Sequence, residues 1–222
     1  MFADSAAAAG CELVEWLPHE QPPPALDGFG AAIVFGGAAQ VDEEHAHPWL
    51  RPEKELLGEL LERRIPTLGV CLGSQLIAQA AGGGARRAAT SEIGWYPIEL
   101  TEAGRADPLL GALPDRFEGF QYHHYEWLLP PEATVLARST ACLQAFRVDG
   151  RPAWGVQFHP EVTLADLSSW LVTWEDDALA VETGLDPQAI RAESSVKISA
   201  WNEVGRGLSA RFLAQAAALT PA

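Results

Sequence analysis

Short apolar runs bounded by glycine, proline or charged residues recur at residues 12–16, 31–35, 65–70, 96–100, 117–122, 134–137, 143–148 and 153–158. Runs of that length between turn residues predict β-strands. Between the early ones the period changes. Leu56, Leu57, Leu60 and Leu61 follow Pro52 at helical spacing and end on Arg63 and Arg64, where positive charge suits a helix C-terminus. A second helix is predicted over residues 73–81, closed by Gly82-Gly83-Gly84. Alternation of strand and helix in this half predicts an α/β fold with a doubly wound, mostly parallel sheet. From 96 to 158 strands follow one another without long helices, which predicts an antiparallel section. The C-terminal pattern is helical again. Thr163-x-x-Asp166 has the form of a capping box, and Leu164, Leu167, Leu171 and Trp174 follow on one face. Asp186-Pro187 supplies an N-cap and a first-turn proline, ahead of the stripe Ile198, Trp201, Val204, Leu208 and Phe212. Residues 1–174 read as one domain and 175–222 as a helical extension packed on it, a dimer or partner surface being the other use of that stripe.

Two segments carry chemistry. Gly69-Val70-Cys71-Leu72-Gly73 follows an apolar strand and opens a helix, the form of a nucleophile elbow with cysteine at its apex. The glycines allow the tight turn, and the helix N-terminus beyond it favours a thiolate. The Leu72 N–H, next after the sulfur, is the natural first donor to an oxyanion. The second segment is Gln157-Phe158-His159-Pro160-Glu161 at the end of a strand. Residues two apart in extended chain project to the same side, so Glu161 can orient the His159 imidazole while its other nitrogen faces Cys71. Nucleophile, base and orienting carboxylate together predict a cysteine-dependent amide hydrolase.

These segments resemble those of class I glutamine amidotransferase domains of the stand-alone kind, similar to the glutaminase half of GMP synthase and to γ-glutamyl peptidases. Phe35-Gly36-Gly37, Ile93-Gly94-Trp95-Tyr96-Pro97 and Phe120-Gln121-Tyr122-His123 fit the same family, and the match runs from about residue 11 to 171. The resemblance implies a flavodoxin-like fold in which Cys71 is nucleophile, His159 base and Glu161 its partner. It implies oxyanion donors from Gly37 and Leu72, with Gln75 and His123 near the bound amino acid. It further implies glutamine or a γ-glutamyl compound as substrate, no cofactor, and a separate synthase subunit to receive ammonia if glutamine is cleaved. A peptidase with a larger leaving group needs no such partner, and a regulatory module retaining the fold is the third reading. Where the family carries glycine and a small or acidic residue after His123, this chain has His124-Tyr125, which turns the expectation away from free glutamine.

Charge and cysteine usage narrow the field. A formal net charge of −15 over 222 residues opposes binding to nucleic acid or anionic membranes. Cys11, Cys71 and Cys142 are odd in number and widely spaced, which suggests neither a disulfide framework nor a zinc site. Glu43-Glu44-His45-Ala46-His47 contains a H-x-H pair but no distal ligand set, so a solvated loop is expected there. No Lys-Ser/Thr follows the glycine run, which excludes a P-loop, and no ATP site is read anywhere. With no basic leader or spanning segment in the sequence, the expected location is a reducing cytoplasm. A doubly wound domain ordinarily opens on a strand, whereas Met1-Phe2-Ala3-Asp4 leads straight into a helical pattern. The first strand of the resembled fold is therefore expected upstream, or the short form to be less stable and partly inactive.

Overall fold

A single mixed sheet of seven strands organises the chain in the computed structural model, which describes residues 1–219. In sequence order the elements are α1 (Phe2–Ala8), β1 (Ala32–Val34), α2 (Leu50–Glu62), β2 (Thr67–Val70), α3 (Leu72–Ala80), β3 (Gly84–Leu100), α4 (Glu102–Ala106) and β4 (Arg116–Leu128). There follow β5 (Ala133–Arg138), β6 (Leu143–Val148), β7 (Ala153–Val156), α5 (Leu164–Val172), α6 (Ala178–Glu182) and α7 (Pro187–Leu219). The strand order is β1-β2-β7-β6-β5-β3-β4. β1, β2 and β7 run parallel, and from β7 onward every neighbour is antiparallel. All four residues of β2 and of β7 are buried, as suits central strands covered on both faces.

Alternating side chains of those strands feed two cores. Leu68, Val70, Trp154, Val156 and Phe158 join Ile198, Trp201, Leu208 and Phe212 of α7 on one face. Phe146, Val148 and Ala153 join Leu57, Leu60, Leu61, Leu76 and Ile77 of α2 and α3 on the other. The capping box at Thr163 and Asp166 forms as expected, and Asp186 accepts the Gln188 N–H at 2.9 Å as α7 begins. α7 packs on α1 and α5, so the predicted C-terminal stripe lies against the body of the sheet. Among the described residues no helix is long and apolar enough to cross a membrane.

Two expectations need correction. Residues 12–16 are coil rather than strand, and Leu13 and Val14 are each 55 % exposed. β1 is the end strand on that side of the sheet, and an apolar run becomes a strand only where a neighbour takes its N–H and C=O groups. The strands expected at 96–100 and 117–122 are parts of a much longer hairpin, β3 with β4. Its outer half is polar and partly exposed, so no apolar alternation marks it. The His124-Tyr125 step is itself extended β4. The irregularity lies across from it, where Arg87 pairs with Tyr125 and Glu92 with His123, leaving residues 88–91 bulged opposite His124.

Candidate active site

The carboxyl ends of β1, β2 and β7 deliver the reactive groups, the position at which open parallel sheets hold ligands. Cys71 follows β2 directly and caps α3 in the left-handed region, at φ 51° and ψ −113°. Few non-glycine residues hold such a backbone, and tight packing imposes it here. A Cβ on Gly69 would lie 2.5 Å from the Gly73 carbonyl oxygen, and one on Gly73 would lie 2.1 Å from that of Val34. Both glycines are therefore needed for α3 to rise so steeply from the strand. The Cys71 N–H is anchored to Val156 O at 2.8 Å, which fixes the elbow to β7.

His159 stands just past β7. Its backbone N–H donates to Phe120 O at 2.9 Å, and its carbonyl accepts the Trp201 indole N–H at 2.8 Å. Nδ1 meets Glu161 Oε1 at 2.7 Å, while Nε2 is buried and makes no hydrogen bond. The Trp170 ring packs edge-on at 5.1 Å between centroids. Burial pulls the imidazole pKa down, but the Glu161 carboxylate and the Cys71 sulfur outweigh it and hold His159 well above the ordinary histidine value. Beside a carboxylate and a thiol that can ionise, the ring favours the imidazolium form. Cys71 Sγ lies 3.7 Å from Tyr122 O and 3.6 Å from Gln157 Nε2, which donates towards it.

Gly36 lies against this pair. A Cβ there would sit 3.2 Å from Cys71 Cβ and 3.3 Å from His159 Cε1, so its bare backbone leaves the space above thiol and ring. Gly37, named from the sequence, sits beside Leu72, 3.7 Å separating the place of its absent Cβ from Leu72 Cδ2. Gln75 is buried and donates to Tyr125 O at 3.2 Å and to Gln157 Oε1 at 3.4 Å. His123 is turned into the core, with Nδ1 3.0 Å from Tyr125 O and Nε2 3.2 Å from Glu92 Oε2. It reaches the thiol through Tyr125, Gln75 and Gln157. The 43–47 segment is a loop in which Glu43 takes the Gln40 N–H and Glu44 pairs with Lys54.

Several contributors escaped the sequence reading. Gln157 was within reach of it, since it stands two residues before His159 in extended chain and so shares its side. The hold of α7 was not. Besides the Trp201 bond, Asn202 donates to Val162 O at 2.7 Å, and a Cβ on Gly205 would lie 2.0 Å from Pro160 O. One helix thus holds residues 159–162 at three points. His124 is the middle of a second polar line, from Ser91 Oγ at 2.8 Å to Asp177 Oδ2 at 3.0 Å. Asp177 also accepts from the Tyr122 hydroxyl at 3.1 Å and caps α6 through its other oxygen, tying the C-terminal helices to β4.

A cysteine on a strand–helix elbow facing a buried histidine–carboxylate pair defines the general class, a nucleophile-elbow α/β enzyme. The chain belongs to the class-I glutamine amidotransferase family, whose pattern it matches over residues 3–172. It is 34% identical over 187 residues to the glutamine amidotransferase-like protein YfeJ of Salmonella typhimurium, covering 82% of this chain and 76% of that one. A glutamine-hydrolyzing GMP synthase subunit of Saccharolobus solfataricus is 34% identical over 151 residues, 67% of this chain and 76% of its own. A crystal structure of a glutamine amidotransferase from Thermotoga maritima superposes with a TM-score of 0.81 at 27% identity, covering 96% of this chain and 91% of that one.

Proposed function

We propose that the protein hydrolyses the γ-amide of glutamine or of a γ-glutamyl compound through a thioester on Cys71. The observation that carries this reading is the meeting of the strained Cys71 elbow with a His159–Glu161 pair whose Nε2 is buried and unengaged. Cys71 Sγ attacks the amide carbonyl carbon as thiolate, and the backbone N–H groups of Gly37 and Leu72 take the developing oxyanion. Imidazolium Nε2 gives its proton to the departing nitrogen, so ammonia or an amine leaves and the γ-glutamyl group stays on sulfur. His159 then removes a proton from water, whose oxygen attacks the thioester and releases glutamate and the thiolate. Glu161 holds the ring in orientation through Nδ1 and stabilises its charge. Gln75 shapes the amino-acid pocket, and His123 acts on it through the Tyr125 carbonyl. In this scheme residues 1–174 are the catalytic domain and residues 175–222 an extension packed on it. Likeness to a glutamine-hydrolyzing GMP synthase subunit supports a separate synthase partner that receives the ammonia. A reducing cytoplasm suits the free thiol.

The test is to incubate the protein with glutamine and, separately, with γ-glutamyl dipeptides, following ammonia and free glutamate. Turnover of one or both is expected, with loss of at least about 10³-fold in Cys71→Ala. Turnover of dipeptides alone would make the protein a γ-glutamyl peptidase. Turnover of neither, with the fold intact, would make it a binding module.

A further inference from the structure

Behind the nucleophile, three side chains from three strands or loops converge in the core: Glu92 of β3, His123 of β4 and Cys142 ahead of β6. Their donor atoms lie within 4.8 Å of one another, and all three residues are buried. His123 Nε2 is 3.2 Å and Cys142 Sγ 3.4 Å from Glu92 Oε2. A tetrahedral zinc with bonds of about 2.0–2.1 Å to N and O and about 2.3 Å to S sets its donors roughly 3.3–3.6 Å apart. The two distances from Glu92 Oε2 are close to that spacing, and the cluster as a whole spans no more than 4.8 Å.

The tautomer supports the same conclusion. Tyr125 O, 3.0 Å from Nδ1, can only accept, so that nitrogen carries a proton, and Nε2 is the ring atom aimed at the cluster. A ring N–H on a backbone carbonyl is the usual outer partner of a metal-bound histidine. Glu92 Oε1 is buried without a hydrogen bond. The Gln144 amide lies 2.8 Å from Glu92 Oε2 and 3.4 Å from Cys142 Sγ. The oxygen of the same amide accepts from Gln121 Nε2 at 2.7 Å, which fixes the amide with its nitrogen towards the cluster. Cys142 borders a surface cavity of about 380 Å³ shared with Arg138, Ser139 and Thr140.

We propose that Glu92, His123 and Cys142 form a structural site for a divalent transition metal, zinc being the ion this N, O, S donor set suits. Binding releases to solvent the Cys142 thiol proton and any proton shared between His123 Nε2 and Glu92. Through Tyr125 O the site braces Gln75 and Gln157 behind Cys71.

The test uses the full chain carrying Cys11→Ser and Cys71→Ala, in which Cys142 is the sole thiol, so its outcome is independent of the proposed hydrolysis. Cobalt(II) is titrated under argon and displaced with zinc(II), with circular dichroism confirming the fold. One equivalent should bind with tetrahedral visible bands and a thiolate-to-cobalt charge-transfer band. Adding Cys142→Ser should abolish that band, and adding Glu92→Gln should weaken binding about 10–100-fold. No uptake by the folded parent would overturn the proposal. So would uptake without the charge-transfer band, as exposed histidines would give, or a band that survives Cys142→Ser.

Discussion

Gly36 and Glu53 show how far a single residue can matter without taking part in bond making. The Cβ of Gly36→Ala would sit 3.2–3.3 Å from Cys71 and His159, closer than packed neighbours tolerate without moving apart. Sulfur and ring would separate by a few tenths of an ångström, and kcat should fall about tenfold or more at nearly constant melting temperature. Unchanged kcat would mean that the pair has slack. Glu53 lies in α2, where burial raises its carboxyl from 4.5 to about 7 and leaves Oε2 without a partner. Between those values the folded chain keeps a proton that the unfolded chain has released, so stability falls as pH rises from about 4.5 to 7. The loss by pH 8 is on the order of 1–3 kcal/mol. Glu53→Gln should remove it, with denaturant midpoints rising at pH 8 and little changed at pH 5; parallel pH curves for the two proteins would contradict this. Cys71, His159 and Glu161 were legible because the chemistry requires those types at those spacings. Glu53 was not, because a lone carboxylate after Pro52 looks like any polar helix position until its neighbours are placed.

At the scale of elements, α7 was legible as an amphipathic helix but not as part of the site. An apolar stripe says that Trp201 is buried; it does not say that the indole N–H meets the carbonyl of the proposed base. Trp201→Phe keeps most of the packing and removes that bond. Expected are a loss of about 1 kcal/mol and a lower kcat at unchanged KM, since the residue acts on His159 and not on substrate. Gly205→Ala drives a methyl into Pro160 O and should cost more, about 1–3 kcal/mol. If both variants lose stability while kcat holds, α7 supports the fold alone. The outer half of β3 was missed for the opposite reason. Its residues are polar and it gains strand structure only by pairing with β4, a long-range partner that local pattern does not reveal.

Over the whole molecule, parallel strands, helices on both faces and an antiparallel section were readable from the order of patterns alone. Residues 12–16 show the limit of that reading, since their apolar content matches a strand and no neighbour receives it. The buried cluster of Glu92, His123 and Cys142 shows it again, its members 31 and 50 residues from Glu92 along the chain. What the architecture does deliver is convergence of β1, β2 and β7 on one thiol. That convergence is tested most directly by trapping the acyl-enzyme. The protein is mixed with glutamine or a γ-glutamyl dipeptide, quenched in acid within the first turnover, digested, and the peptides weighed by mass spectrometry. A γ-glutamyl adduct on Cys71, absent from Cys11 and Cys142 and lost in His159→Ala, is the expected result. Release of glutamate with no adduct on Cys71, or an adduct on another residue, would contradict it.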